Sequence, residues 1–110
     1  MTRDMLEVIG ESKSLNSKLF SLIRIQIMSS LAELGRDGSS YRELKAVLNE
    51  DDGVLNSNLK ALEGMGYIES KDVKIEQKNL KSYNITTEGE IAWNVTRIWL
   101  KKMLECGDLK

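Results

Sequence analysis

The chain has no histidine, no proline and one cysteine, Cys106. Without histidine there is no serine–histidine or cysteine–histidine catalytic pair and no imidazole general base. One cysteine excludes an internal disulfide and a cysteine–histidine zinc set, and it fits a reducing compartment. Cys106 reads as a small apolar residue near a helix end; only the neighbouring Lys101 and Lys102 favour a reactive thiol. Without proline no helix is interrupted and no cis-proline turn is available. No apolar run approaches the roughly 20 residues that cross a bilayer, and Met1-Thr2-Arg3-Asp4 opens a polar segment without a secretory leader pattern. The glycines lack phosphate-cradling spacing; Gly35, Gly38, Gly64 and Gly66 read as helix stops and turns. Nor is there an excess of charge of one sign: 16 lysines and arginines face 17 acids. That argues against a histone-like basic protein but allows basic residues gathered on one face.

What is present, in 110 residues, fits one small domain. The pattern predicts a mostly α fold with a small β-hairpin, divided into an N-terminal helix (1–13), a core (14–86) and a C-terminal helix (87–110). Met5, Val8 and Ile9 follow helical spacing, and Ser12 to Asn16 is a polar joint. Leu19, Phe20, Ile23, Ile27, Leu31 and Leu34 recur every three or four residues. They predict a single helix from Ser17 to Leu34 with one buried face, stopped by Gly35. Arg36-Asp37-Gly38-Ser39 reads as a turn. Ser40 with Glu43 forms a capping box opening a short helix through Asn49, with Leu44 and Leu48 inward. Asp51 or Asp52 is placed to cap the third helix of the core, whose Leu55, Leu59 and Leu62 point inward. Tyr67-Ile68 begins a strand, Lys71 to Ser82 reads as a polar hairpin tip, and Ser82 to Ile85 returns. Thr86-Thr87 with Glu90 caps a last helix running to about Cys106, with Gly107 as its stop; Glu88 and Glu90 suit its positive end.

That last helix has two apolar sides. At about 100° per residue, Ile91, Val95 and Ile98 lie together, and Trp93, Leu100 and Leu104 lie nearly opposite. One side docks on the body and the other needs a second surface. Trp93, Trp99, Leu100 and Leu104 are assigned to a homodimer interface. The alternative is a helix sandwiched between the body and its own N-terminal helix. The two tryptophans are packing anchors or the lining of a pocket for an unknown small-molecule effector.

The order of helix, turn, helix, glycine stop and two strands resembles the winged helix-turn-helix domain of small prokaryotic transcription regulators. The pattern is similar to the multiple-antibiotic-resistance-regulator-like and arsenical-repressor-like groups. Arg24 to Leu31 resembles their first core helix, and Tyr41-Arg42-Glu43-Leu44 the start of the second. Asp52 to Ile68 resembles the recognition helix and first wing strand, and Tyr83 to Gly89 the close of the wing. The resemblance implies a dimeric, cytoplasmic repressor or activator whose partner is double-stranded DNA. The third helix would lie in the major groove and the wing along the backbone or minor groove. Its outward residues Val54, Ser57, Asn58, Lys60 and Ala61 then meet DNA. Asn58 pairs with adenine, Ser57 with several bases, Val54 with a thymine methyl and Lys60 with phosphate. Ser40, Tyr41 and Arg42 begin the second helix, and Lys71, Lys74, Lys78 and Lys81 sit on the wing; both sets offer phosphate contacts. The metal-sensing ligands of the second group are missing, so no metal or cofactor is expected. Between Asp51 and Met65 one lysine faces three acids. This poverty of charge keeps a second reading open, a winged helix that binds protein rather than DNA.

Overall fold

Each helix is started by a recognisable polar residue. A computed structural model describes residues 1–106. α1 (Arg3–Glu11) begins where the Thr2 hydroxyl accepts from the Met5 amide at 3.2 Å, and a 3-10 turn, Ser12–Ser14, extends it. The single helix expected from Ser17 to Leu34 is divided. A 3-10 turn covers Ser17–Leu19, and α2 runs from Leu22 to Leu34. Two local caps explain the break: Asn16 Oδ1 accepts from the Lys18 amide, and Ser21 Oγ from the Arg24 amide. The break keeps Leu19 in the core, 1% exposed, and turns Phe20 outward, 38% exposed; Leu34, the last residue of α2, is 46% exposed. The buried set is therefore Leu19, Ile27, Met28 and Leu31.

The capping box of α3 (Tyr41–Leu48) forms as expected: Ser40 Oγ accepts from the Glu43 amide at 3.1 Å, and Glu43 Oε1 accepts from the Ser40 amide at 3.5 Å. Asn49 ends it in the left-handed region, φ 53°. α4 (Asp52–Gly64) follows with Leu55, Leu59 and Leu62 no more than 1% exposed. Asp51 occupies its N-cap position but makes no capping hydrogen bond with its side chain, and Asp52 is engaged elsewhere. Neither aspartate caps as anticipated. The leucines of α4 meet α2, Ile68, Tyr83, Ile85 and Trp93 in one core cluster.

The sheet is larger than the sequence pattern suggests. β2 (Ile68–Ile75) and β3 (Lys78–Ile85) pair from Ile68↔Ile85 to Ile75↔Lys78, so only Glu76 and Gln77 form the turn. Both have positive φ, 51° and 66°, as a tight primed turn requires. The expected long polar tip is in fact paired strand. A further strand, β1 (Ser39–Ser40), pairs with β3 and gives the order β1-β3-β2. Gly38, φ 64°, permits this approach, because any Cβ there would collide with the Tyr83 carbonyl.

α5 (Thr87–Glu105) is capped by Thr86, whose hydroxyl accepts from the Gly89 amide at 2.9 Å and donates to the Gly66 carbonyl at 2.6 Å. Gly89 packs against the Tyr67 carbonyl, where a side chain would not fit. Cys106 closes the helix; Gly107, the expected stop, lies outside the described residues. α1 crosses α5 through Trp99, whose Nε1 donates to the Val8 carbonyl at 2.7 Å, and through Lys102–Glu11 at 3.2 Å. Phe20 meets the Trp99 ring edge-on, with centroids 5.9 Å apart. The molecule measures 59 × 26 × 21 Å with a radius of gyration of 16.3 Å, against roughly 13 Å for a compact chain of this length.

These contacts reverse the expected roles of the α5 faces. Trp93 is 7% exposed and belongs to the core, while Trp99 and Leu100 are half-buried. Of the four residues assigned to a dimer interface, only Leu104 is well exposed, at 76%. The bare stripe is Ile91, Val95 and Ile98. The reason is in the docking: the side of α5 carrying Trp93 and Thr96 is the one that closes the core. Trp99 lines a cleft of about 200 Å³ with Leu15, Val95, Ile98 and Lys102, whereas neither tryptophan lines the cleft of about 450 Å³ formed by the Leu15 segment, Tyr67 and α5.

Candidate nucleic-acid interface

The leucine stripe decides which way α4 faces. With Leu55, Leu59 and Leu62 inward, the helical repeat leaves Ser57 on the outward crest. Asn56 and Lys60 fall on one flank, and Val54, Asn58 and Ala61 on the other. Ser57 and Lys60 are exposed, Val54 is 42% exposed, and Ala61 is half-buried.

Asn58 is not free. Its Oδ1 accepts from Arg24 Nε at 2.8 Å, and its Nδ2 donates to the Val54 carbonyl at 2.8 Å. Arg24 Nη1 also donates to the Lys18 carbonyl at 2.8 Å. Asn58 is half-buried and ties α4 to the start of α2. A bidentate contact with adenine needs both ends of the amide, and each end of Asn58 already carries one bond that turns it toward Arg24 and the Val54 carbonyl.

On the other flank, α3, α4 and β3 enclose a cleft of about 380 Å³ lined by Ser40, Tyr41, Arg42, Asp52, Asn56, Asn79, Leu80, Lys81 and Tyr83. Asp52 stands at its rim and would repel a phosphate if its charge were bare. It is compensated: Oδ1 accepts from the Tyr41 hydroxyl at 2.6 Å and lies 3.0 Å from Lys45 Nζ. The Tyr41 hydrogen bond, followed by that of Lys45, lowers the Asp52 carboxyl below its ordinary range. The same hydrogen bond, with desolvation adding to it, pushes the Tyr41 phenol up to about 12. Burial also raises the Tyr83 phenol, with Glu63 nearby.

The structure brings together Ser40, Tyr41, Arg42 and Lys81 from the expected set. Ser40 also serves the α3 capping box. The wing lysines are all exposed but do not share a face. Directly paired residues lie on the same side of a sheet. The register therefore puts Lys74 and Lys81 with Asp72, Asn79 and Tyr83 on the cleft side, and Lys71 and Lys78 with Val73 and Ile75 on the other; Leu80 pairs with Val73 and also borders the cleft. Asn56 and Asn79 were not among the expected contacts. Asn56 was legible through its spacing, four residues before Lys60. Asn79 depended on the strand pairing.

Residues 23–104 match the profile of the winged helix DNA-binding domain family. The chain belongs to that family. This winged-helix chain is 32% identical over 93 residues to an uncharacterized protein of Methanocaldococcus jannaschii, a match covering 81% of this chain and 99% of the other. Its fold is shared with the transcriptional regulator homologue protein of Pyrococcus horikoshii OT3 (TM-score 0.78, 24% identity, 98% of this chain and 100% of that one). It is shared also with MepR of S. aureus in its DNA complex (TM-score 0.70, 15% identity, 94% and 84%). FabT of Streptococcus pneumoniae, in complex with DNA, is similar at a TM-score of 0.54, with 23% identity over 92% of this chain and 70% of that one. Among the described residues, no helix of this winged-helix domain is long and apolar enough to cross a membrane.

Proposed function

We propose that the protein binds double-stranded DNA sequence-specifically as a homodimer and thereby regulates transcription. α4 lies in the major groove, and the Lys74–Lys81 side of the wing lies against the backbone. The observation that carries this reading is the cleft between α4 and the wing. A duplex with α4 in one groove and the wing in the next sends its phosphate ridge between them, where Arg42 and Lys81 supply charge and Tyr41 and Lys45 compensate Asp52. Two fold neighbours, MepR and FabT, were solved with DNA, which supports the same use of this fold.

The dimer rests on the α5 stripe. Ile91, Val95 and Ile98 are 61%, 45% and 48% exposed along a 19-residue helix. A second copy presenting the same stripe covers it by two-fold symmetry and sets two α4 helices about one helical turn of DNA apart. Selection of bound fragments from a random duplex pool is the test. Enrichment of a roughly two-fold symmetric site supports the reading. No enrichment at low salt overturns it in favour of a protein-binding winged helix, the use to which the charge-poor α4 is otherwise suited.

A further inference from the structure

The two asparagines near the middle of α4 have opposite surroundings. Asn58 has both ends of its amide bonded within the chain, to Arg24 and to the Val54 carbonyl. Asn56 is exposed, lies one turn from the start of α4 and faces the cleft beside Tyr41. Base contacts of a recognition helix come from its N-terminal residues, and Asn56 is there.

Asn56 also shares its cleft with a chain of polar contacts. Lys45 Nζ lies 3.0 Å from Asp52 Oδ1, and the same oxygen accepts from the Tyr41 hydroxyl at 2.6 Å. A phenol has one proton to give; with it committed to Asp52, the phenol oxygen is left as an acceptor. Asn56 lines the same cleft as Tyr41. An amide proton given to that acceptor would leave Asn56 with its carbonyl oxygen and a second proton. Those are the acceptor and donor that match N6 and N7 of adenine.

We propose that Asn56 is the adenine-reading residue of α4 and that Tyr41, fixed by Asp52 and Lys45, is the positioning residue that orients it. The proposal rests on the DNA-binding reading above and assigns the specificity of that same site. Asn58 is a brace between α4 and α2 and reads no base.

The experiment starts from the fragments selected by the wild-type protein. Competition binding then compares the selected site with versions substituted one base pair at a time. Asn56→Ala is expected to reduce the preference for A·T at one position in each half-site by about tenfold, with the affinity for unrelated duplex unchanged. Asn56→Leu, which keeps size and loses both the donors and the acceptor, should reduce it similarly. Tyr41→Phe should reduce the preference at that position by roughly two- to threefold, on top of a uniform loss of affinity from baring Asp52, and should remove no further preference in the Asn56→Ala background. A purely structural role for Tyr41 would lower all affinities together and leave the preference intact. Retention of every base preference by Asn56→Ala, or loss of an adenine preference in Asn58→Ala but not in Asn56→Ala, overturns the assignment while the DNA-binding reading stands. Failure of the wild-type protein to select any fragment overturns both.

Discussion

The recognition end and the α5 end of the molecule leave surface uncovered in different ways. Around α4 the outward groups are mostly polar, with Val54 the apolar exception, and two of them are held by neighbours: Asp52 by Tyr41 and Lys45, and half-buried Asn58 by Arg24. Along α5 the exposed groups include Ile91, Val95 and Ile98, which have no polar function to satisfy. A fixed polar surface is stable in water and ready for a polar partner. An apolar stripe gains most from a partner that removes it from water. The two faces of α5 sharpen the contrast, because one is already in the core and the other is bare.

The largest expected effect separates those two faces. Trp93→Ala should lower folding stability by roughly 3–5 kcal/mol, measured by denaturant unfolding, because Trp93 is a core residue. Ile98→Glu should leave the monomer's unfolding nearly unchanged and abolish self-association at micromolar concentration in sedimentation. A Trp93 variant that unfolds like wild type but no longer associates would restore the tryptophan side as the interface and break the comparison.

At the recognition end the matching contrast lies between the two sides of the wing. Replacing Lys74 and Lys81 together by glutamine should weaken binding to all duplexes and reduce the slope of log affinity against log salt by up to about two units. The same change at Lys71 and Lys78 should reduce it less, because the register turns them away from the cleft. Equal slopes for the two pairs would show that the wing meets DNA by its edge rather than by one side.

How much of this was legible in the chain follows from the range of the forces involved. Helix starts are local. Ser40 with Glu43 and Thr86 before α5 cap where the spacing said, and the Leu55-Leu59-Leu62 stripe faces inward as its period requires. The break at Ser21 was hidden because the apolar period runs straight through it, while the deciding caps, Asn16 and Ser21, look like ordinary polar residues. The wing was underestimated because Lys71 and Lys78 occupy the same face as Val73, Ile75 and Leu80 and leave the apolar alternation short, and because Glu76-Gln77 lacks the usual glycine of a tight turn. β1 is two serines, paired only because Gly38 lets the chains approach. At the site, periodicity gave the outward face of α4 but not its tertiary bonds. Asn58 is tied to Arg24, 34 positions earlier, and no spacing rule reports that. The faces of α5 were read as a pair correctly, but which one docks depends on the shape of the core it meets.

The smallest expected effect tests whether the polar end is held as the geometry indicates. Asp52 has a lowered pKa when folded, so its contribution is present above its ordinary value of 3.8 and is lost as pH falls below that, through the folded value. Tyr41 has a raised pKa, so its contribution is present below 10 and is lost as pH rises from 10 toward about 12. Both groups lie near solvent, which limits the size of the effect. The stability gap between wild type and Tyr41→Phe, followed by thermal unfolding, should therefore be widest and flat between about pH 5 and 9 and narrow at both ends. The acid side narrows because protonating Asp52 removes the acceptor, and the alkaline side because Tyr41 in the unfolded chain ionises first. A gap that is unchanged at both ends would mean that the Tyr41–Asp52 contact does not hold α3 to α4 in solution. The surface beside α4 would then be only as fixed as its backbone, and the contrast with α5 would reduce to polarity alone.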